Sequence, residues 1–136
     1  METFFIYGSL KRGFPNHDRF DFDKKSRFLG EATLNGARMY DLGPFPCVVL
    51  TNDPKDAVHG EIYEVTDDEC ASMIRRMERG AGYVETKVEA NGREAATFVY
   101  DGVQEAPAIP DGTWNGPRTL SAWITQNCKF GGTPGR

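Results

Sequence analysis

Asp67-Asp68-Glu69-Cys70-Ala71-Ser72-Met73-Ile74-Arg75-Arg76-Met77-Glu78-Arg79 is the stretch on which the fold reading turns. Its apolar residues fall at Cys70, Met73, Ile74 and Met77, the i, i+3, i+4, i+7 spacing of one buried helical face. Thr66 or Asp67 is placed to cap the helix, and Asp68 and Glu69 sit in the first turn, where the helix dipole favours acids. Gly80 and Gly82 end it. Immediately before it, Val58 to Val65 is β-prone. After it come two strand candidates, Tyr83 to Ala90 and Ala95 to Tyr100, joined by Asn91-Gly92, a hairpin dipeptide.

Working outward, Thr3 to Tyr7 is a short apolar run stopped by Gly8-Ser9, which predicts a buried first strand entering a turn. Loop residues follow, and Asn16 is placed to cap a short helix through about residue 24. Phe28 to Leu34 and Gly36 to Leu42 are strand candidates broken at Asn35-Gly36, a second hairpin dipeptide. Cys47 to Leu50 reads as another buried strand, and Asn52-Asp53-Pro54 turns the chain again. Residues 101–116 are rich in Pro and Gly and read as a loop or crossover. Pro117 opens a last helix to about Asn127. Six or so short strands with one strong helix between the fourth and fifth predict an α+β fold: a small, mostly antiparallel barrel or sheet with one or two packed helices. Residues 1–128 are expected to form one domain and 129–136 a flexible tail.

Composition narrows the function classes. With 26% charged, 39% apolar and 12% aromatic residues, the 136-residue chain has the balance of a globular protein and not of a disordered one. A net charge of −4 argues against nucleic acid as partner, because phosphate binding needs clustered Lys and Arg. No apolar stretch approaches the roughly 20 residues of a membrane span. The first apolar run, Phe4 to Tyr7, lacks the basic start and length of a secretion signal. Cys47, Cys70 and Cys128 are widely spaced, without C-x-x-C, and His17 and His59 are the only histidines. That pattern encodes neither a zinc site nor a redox pair, so no metal or cofactor is expected. Sparse cysteine use predicts a reducing, cytoplasmic compartment.

Two features are candidates for chemistry. Glu78 lies four positions after Ile74 and seven after Ala71, so it points along the inward helical face. Desolvation, together with the negative end of the helix dipole, is expected to push its pKa toward the range useful for acid/base work. The plain alternative is a boundary carboxylate bridging Arg75 at the surface. The second feature is the Tyr7-Gly8-Ser9-Leu10 turn, whose successive N–H groups would form a nest for an anionic oxygen, or else make an ordinary tight turn. Ser9 has no base at a suggestive spacing, and His17 reads as a surface-loop histidine rather than a catalytic one. Alternation along His59-Gly60-Glu61-Ile62-Tyr63 puts Glu61 either on a cavity, as a second carboxylate near Glu78, or in water. Trp114 and Trp123 read as core or rim residues.

Phe5-Ile6-Tyr7-Gly8-Ser9-Leu10-Lys11-Arg12-Gly13, followed by Pro15-Asn16-His17, resembles the opening signature of the γ-glutamylcyclotransferase-like proteins, nearest their γ-glutamylamine cyclotransferase branch. Phe45-Pro46-x-Val48-Val49, Val58-x-Gly60-Glu61-Ile62-Tyr63, Glu78 followed by Tyr83, and Phe98-Val99-Tyr100 resemble later motifs of the family, in order. The resemblance covers residues 4–100. It implies a metal-free enzyme in which Glu78 is catalytic and Tyr7, Gly8, Ser9 and Leu10 bind substrate. The implied reaction is intramolecular aminolysis of a γ-glutamyl amide, giving 5-oxoproline or a related lactam and a free amine or amino acid. The implied partner is that small molecule, bound by a monomer or weak homodimer. Two positions depart from the pattern: Arg75 stands where the family has Asp, and Glu85 where it has Arg. If those residues shape substrate choice, the substrate is not the familiar one. The rivals are a non-catalytic module that binds a small ligand in the same pocket, and hydrolysis or lactam formation on another acyl amine.

Overall fold

The computed structural model describes residues 2–42, 45–100 and 106–116. The expected helix after Pro117, Trp123, Cys128 and the tail 129–136 lie outside the described residues. Among those described, the order of elements is β1 (Glu2–Ile6), α1 (Pro15–Arg19), α2 (Phe22–Lys25), β2 (Ser26–Asn35), β3 (Ala37–Asp41), β4 (Pro46–Leu50), β5 (Ala57–Val65), α3 (Asp68–Gly80), β6 (Val84–Ala90) and β7 (Arg93–Val99). Five strands form one sheet in the order β2-β5-β1-β7-β6, and β3 pairs with β4 in a second. The fold is α+β and mostly antiparallel, as expected, with β1 against β7 the one parallel pair among the described strands.

β1 sits at the centre because it is apolar on both faces. Phe4 and Phe5 are fully buried and point to opposite sides, as successive strand residues must. Phe4 joins Tyr63, Cys70, Ile74, Tyr83 and Phe98 in the core between sheet and α3. Phe5 joins Tyr7, Leu34, Val58, Ile62, Val99 and Trp114 in the core on the other face. Each such aromatic contributes roughly 1.5–3 kcal/mol of burial. Among the described residues no helix is long and apolar enough to cross a membrane.

Three local expectations need correction. The two Asn-Gly dipeptides behave differently. Asn91 and Gly92 both take positive φ (51° and 75°), as a tight hairpin requires, and they join β6 to β7. At 35–36 only Gly36 turns left-handed (φ 76°), while Asn35 stays in β2; the chain makes a corner, so β2 pairs with β5 and β3 with β4. The expected helix over 16–24 is two helices, broken where Asp21 adopts φ 50°. Asn16 does not cap the first of them. Its side chain reaches back to Ser9 instead.

α3 follows its sequence signals. Asp67 accepts a hydrogen bond from the Cys70 N–H at 2.8 Å. At the far end Gly82 takes φ 91°, which lets the Tyr83 N–H return to the Glu78 carbonyl at 3.0 Å. The buried stripe is Cys70, Ala71, Ile74 and Glu78, with Met77 partly buried beside it.

Candidate active site

A small pocket, partly open to solvent, lies where the C-terminal end of β1 meets the last turn of α3. One wall is the chain from Phe5 to Leu10; the others are Pro46 at the start of β4, Thr97 and Phe98 of β7, and Glu78. Glu78 is 6% exposed and, among the described lining residues, is the only formally charged side chain. The structure thus brings together Tyr7, Gly8, Ser9, Leu10 and Glu78, which are separated by about seventy residues of chain. They meet because α3 packs its Ile74–Glu78 stripe against the face of the sheet on which Phe4 and Ile6 lie.

The turn itself is tightly built. The Lys11 N–H donates to the Gly8 carbonyl at 3.0 Å, closing a β-turn over Ser9 and Leu10. Among the described residues neither the Ser9 nor the Leu10 N–H has a hydrogen-bond partner. A Cβ at Gly8 would lie 3.3 Å from Pro46 Cγ, so a side chain there would press on the proline ring. Side chains brace the walls. The Tyr7 hydroxyl donates to the Phe98 carbonyl at 2.5 Å, Tyr83 to the Pro46 carbonyl at 2.5 Å, and Thr97 to the Phe5 carbonyl at 3.0 Å. Ser9 Oγ accepts from Asn16 Nδ2 at 2.8 Å.

The other candidates fall elsewhere. Arg75, which the surface reading paired with Glu78, instead binds Glu2 and Glu85. Glu61 does not line the Glu78 cavity. It accepts from the Arg12 N–H at 2.9 Å and the Tyr63 hydroxyl at 2.8 Å, and it faces a separate, wider cleft with Lys11, Thr33 and His59. Burial, with the Glu61 hydrogen bond adding to it, pushes the Tyr63 phenol well above its ordinary value. His17 is buried, not a surface residue. Trp114 is core. Cys47, next to Pro46, is buried and free, and burial raises its thiol to about 11, so it is no thiolate near neutrality. Among the described residues no three His, Cys, Asp or Glu side chains gather where an ion could sit.

Sequence reasoning missed Pro46, Thr97 and Phe98 as cavity residues. Thr97 alone left a trace, as the one polar residue in the apolar run Ala95-Ala96-Thr97-Phe98-Val99.

Residues 4–116 match the family model described as Gamma-glutamyl cyclotransferase, AIG2-like. The chain belongs to that family. It is 31% identical over 104 residues to MJ1514 of Methanocaldococcus jannaschii, whose name places it with the gamma-glutamylcyclotransferases. That match covers 74% of this chain and 83% of the relative. It is 27% identical to the gamma-glutamylcyclotransferase family protein YtfP of Escherichia coli K12, over 81% of this chain and 93% of that one. Among solved structures, an AIG2-like protein from Mus musculus superposes with a TM-score of 0.65 at 25% identity, covering 86% of this chain and 91% of its own. The uncharacterized protein PH0828 from Pyrococcus horikoshii gives a TM-score of 0.69 at 26% identity, covering 83% and 89%. Membership of the γ-glutamylcyclotransferase family accounts for the ordered motifs of residues 4–100, and the fold is the one those motifs imply.

Proposed function

We propose that this γ-glutamylcyclotransferase-like protein is an enzyme that cyclises the γ-glutamyl group of a small amide. The observation that carries the reading is the placement of one buried carboxylate, Glu78, on the same apolar cavity as a turn with two unengaged N–H donors. In the reaction the α-amine nitrogen attacks the γ-carbonyl carbon of its own chain. A C–N bond forms in the ring and the amide C–N bond breaks. The attacking nitrogen sheds a proton and the leaving nitrogen gains one, so the products are 5-oxoproline and an amine or amino acid, with no water consumed. Because the nucleophile is tethered within the substrate, no Ser or Cys nucleophile is needed; holding the folded conformer supplies much of the rate.

Glu78 is the proton carrier. It takes a proton from the α-amine as the ring closes and returns it to the leaving nitrogen. The Ser9 and Leu10 N–H groups hold an anionic oxygen of the substrate, either its α-carboxylate or the developing oxyanion. The Tyr7, Tyr83 and Thr97 hydrogen bonds hold the walls rigid around it.

The test is incubation of the protein with γ-glutamyl amino acids, γ-glutamyl amines and glutathione, reading 5-oxoproline by mass. Formation of 5-oxoproline from at least one of them supports the reading. Tight binding of a γ-glutamyl compound with no 5-oxoproline from any would overturn it in favour of a non-catalytic binding module.

A further inference from the structure

The cradle turn is held by two side chains of α1. Asn16 Nδ2 donates to Ser9 Oγ at 2.8 Å. His17 spans a longer gap. Its Nδ1 lies 2.8 Å from the Leu10 carbonyl oxygen and its Nε2 lies 2.7 Å from Asp23 Oδ1 on α2. The ring thus bridges the Leu10 carbonyl of the turn and the Asp23 carboxylate of α2. The ring is 3% exposed and packs edge-on against Phe22 and obliquely against Tyr63, with centroids 5.5 Å and 5.8 Å away. The titratable groups facing it are Asp23 from α2 and Tyr63 from β5, the hydroxyl of the latter being committed to Glu61.

We propose that His17 is a positioning residue for the substrate cradle: it ties the Leu10 carbonyl to Asp23 and fixes the turn that carries the Ser9 and Leu10 N–H donors. The physical need is plain. A turn that binds an anion must keep its carbonyls pointed elsewhere, because a carbonyl oxygen swung toward the anion repels it. In this turn the Gly8 carbonyl is engaged by the Lys11 N–H and the Leu10 carbonyl by His17. Loss of the second bond leaves the Leu10–Lys11 peptide held on one side only, by its N–H to the Gly8 carbonyl. Asp23 holds the far side of the ring, so a carboxylate on an exposed helix is coupled to the cavity through a buried imidazole.

This inference rests on the cyclotransferase reading for its activity readout only, and the experiment separates the two. The Ser9 and Leu10 amide resonances are first assigned in wild type by nitrogen-15 NMR. Two variants are then compared with wild type: His17→Leu, and Asp23→Ala. The latter leaves the core untouched, since the Asp23 side chain is 73% exposed. At a temperature where each is fully folded, kcat/KM for a γ-glutamyl substrate is expected to fall about tenfold in His17→Leu and by a smaller factor in Asp23→Ala. The Ser9 and Leu10 amide resonances are expected to move in both. Variants whose amide resonances and kcat/KM match wild type overturn the proposal, even where the melting temperature falls, since a merely structural histidine would give that result. If wild type forms no 5-oxoproline, the cyclotransferase reading fails, while the amide spectra still decide whether His17 holds the cradle.

Discussion

Arg75 and Glu85 face each other between α3 and β6 in a two-pronged ion pair, with Nε 2.8 Å from Oε1 and Nη2 3.2 Å from Oε2. Arg75 also engages both carboxylate oxygens of Glu2 on β1. Arg75 and Glu85 fasten α3 to the sheet through one ion-pair network. Neither residue is among the described lining of the Glu78 cavity. The network holds α3 one turn before Glu78.

Reversing one partner sets like charges against each other, while reversing both restores an opposite pair. Glu85→Arg alone is expected to lower the unfolding free energy by about 1–2 kcal/mol, Arg75 and Glu85 both being about a quarter exposed. Arg75→Asp together with Glu85→Arg should recover part of that loss, giving a coupling of about 1 kcal/mol in urea melts. Strictly additive losses would show that the pair does not fasten the helix.

The same network predicts an acid limb in stability. The Arg75 hydrogen bonds hold the Glu2 carboxyl below its ordinary value, burial opposing them. A carboxyl with a depressed folded-state pKa binds more protons unfolded than folded. Its contribution is therefore complete above the unfolded value and is lost as pH falls through the folded one. Melting temperatures taken from about pH 6 down to pH 3 should fall less steeply in Glu2→Gln than in wild type. Identical slopes would rule the pair out as a source of the pH dependence.

Glu78→Gln keeps the shape and most hydrogen-bonding capacity of the side chain but cannot carry a proton. Turnover is expected to drop roughly 10²–10⁴-fold while substrate affinity and melting temperature change little. Wild-type turnover in this variant would mean that the proton moves through another group. Glu61, the next carboxylate suggested by sequence, lies outside the cavity and is held by Arg12 and Tyr63.

Gly60 tests the packing of the central strands. A Cβ at this position would lie 2.4 Å from the Ile6 carbonyl oxygen and 2.8 Å from Phe5 Cζ. Gly60→Ala should therefore destabilise by about 3 kcal/mol, seen as a lower melting temperature or insoluble expression. An alanine variant as stable as wild type would show that β1 and β5 shift apart freely.

Much of the fold was legible in the residues. The Asp67 cap and Gly82 exit of α3, the Asn91-Gly92 hairpin and the buried first strand are set by local chemistry, and each formed as read. The buried stripe of α3, by contrast, runs through Ala71 and Glu78 in place of Met73 and Met77, which are only partly buried. Asn35-Gly36 misled because an Asn-Gly pair permits a hairpin without requiring one. Strand β5, forty residues of chain away at its far end, offered β2 a better partner than β3 did. The helix over 16–24 misled because propensity does not report where a buried side chain is wanted, and Asn16 and His17 are spent on the turn.

Sequence by itself determined α3, the Asn91-Gly92 hairpin and the buried first strand, and it named as candidates the residues that tertiary structure set around one cavity, Glu78 and Tyr7 to Leu10. It did so because helical period, capping and turn preference are short-range effects acting within a few residues. Only the tertiary structure decided that these residues share a cavity, that Pro46, Thr97 and Phe98 complete its walls, that Glu61 is excluded, and that Arg75 answers Glu85. Those outcomes follow from the packing of α3 across the sheet, where contacts between residues distant in sequence are chosen by shape and charge, which no local pattern records.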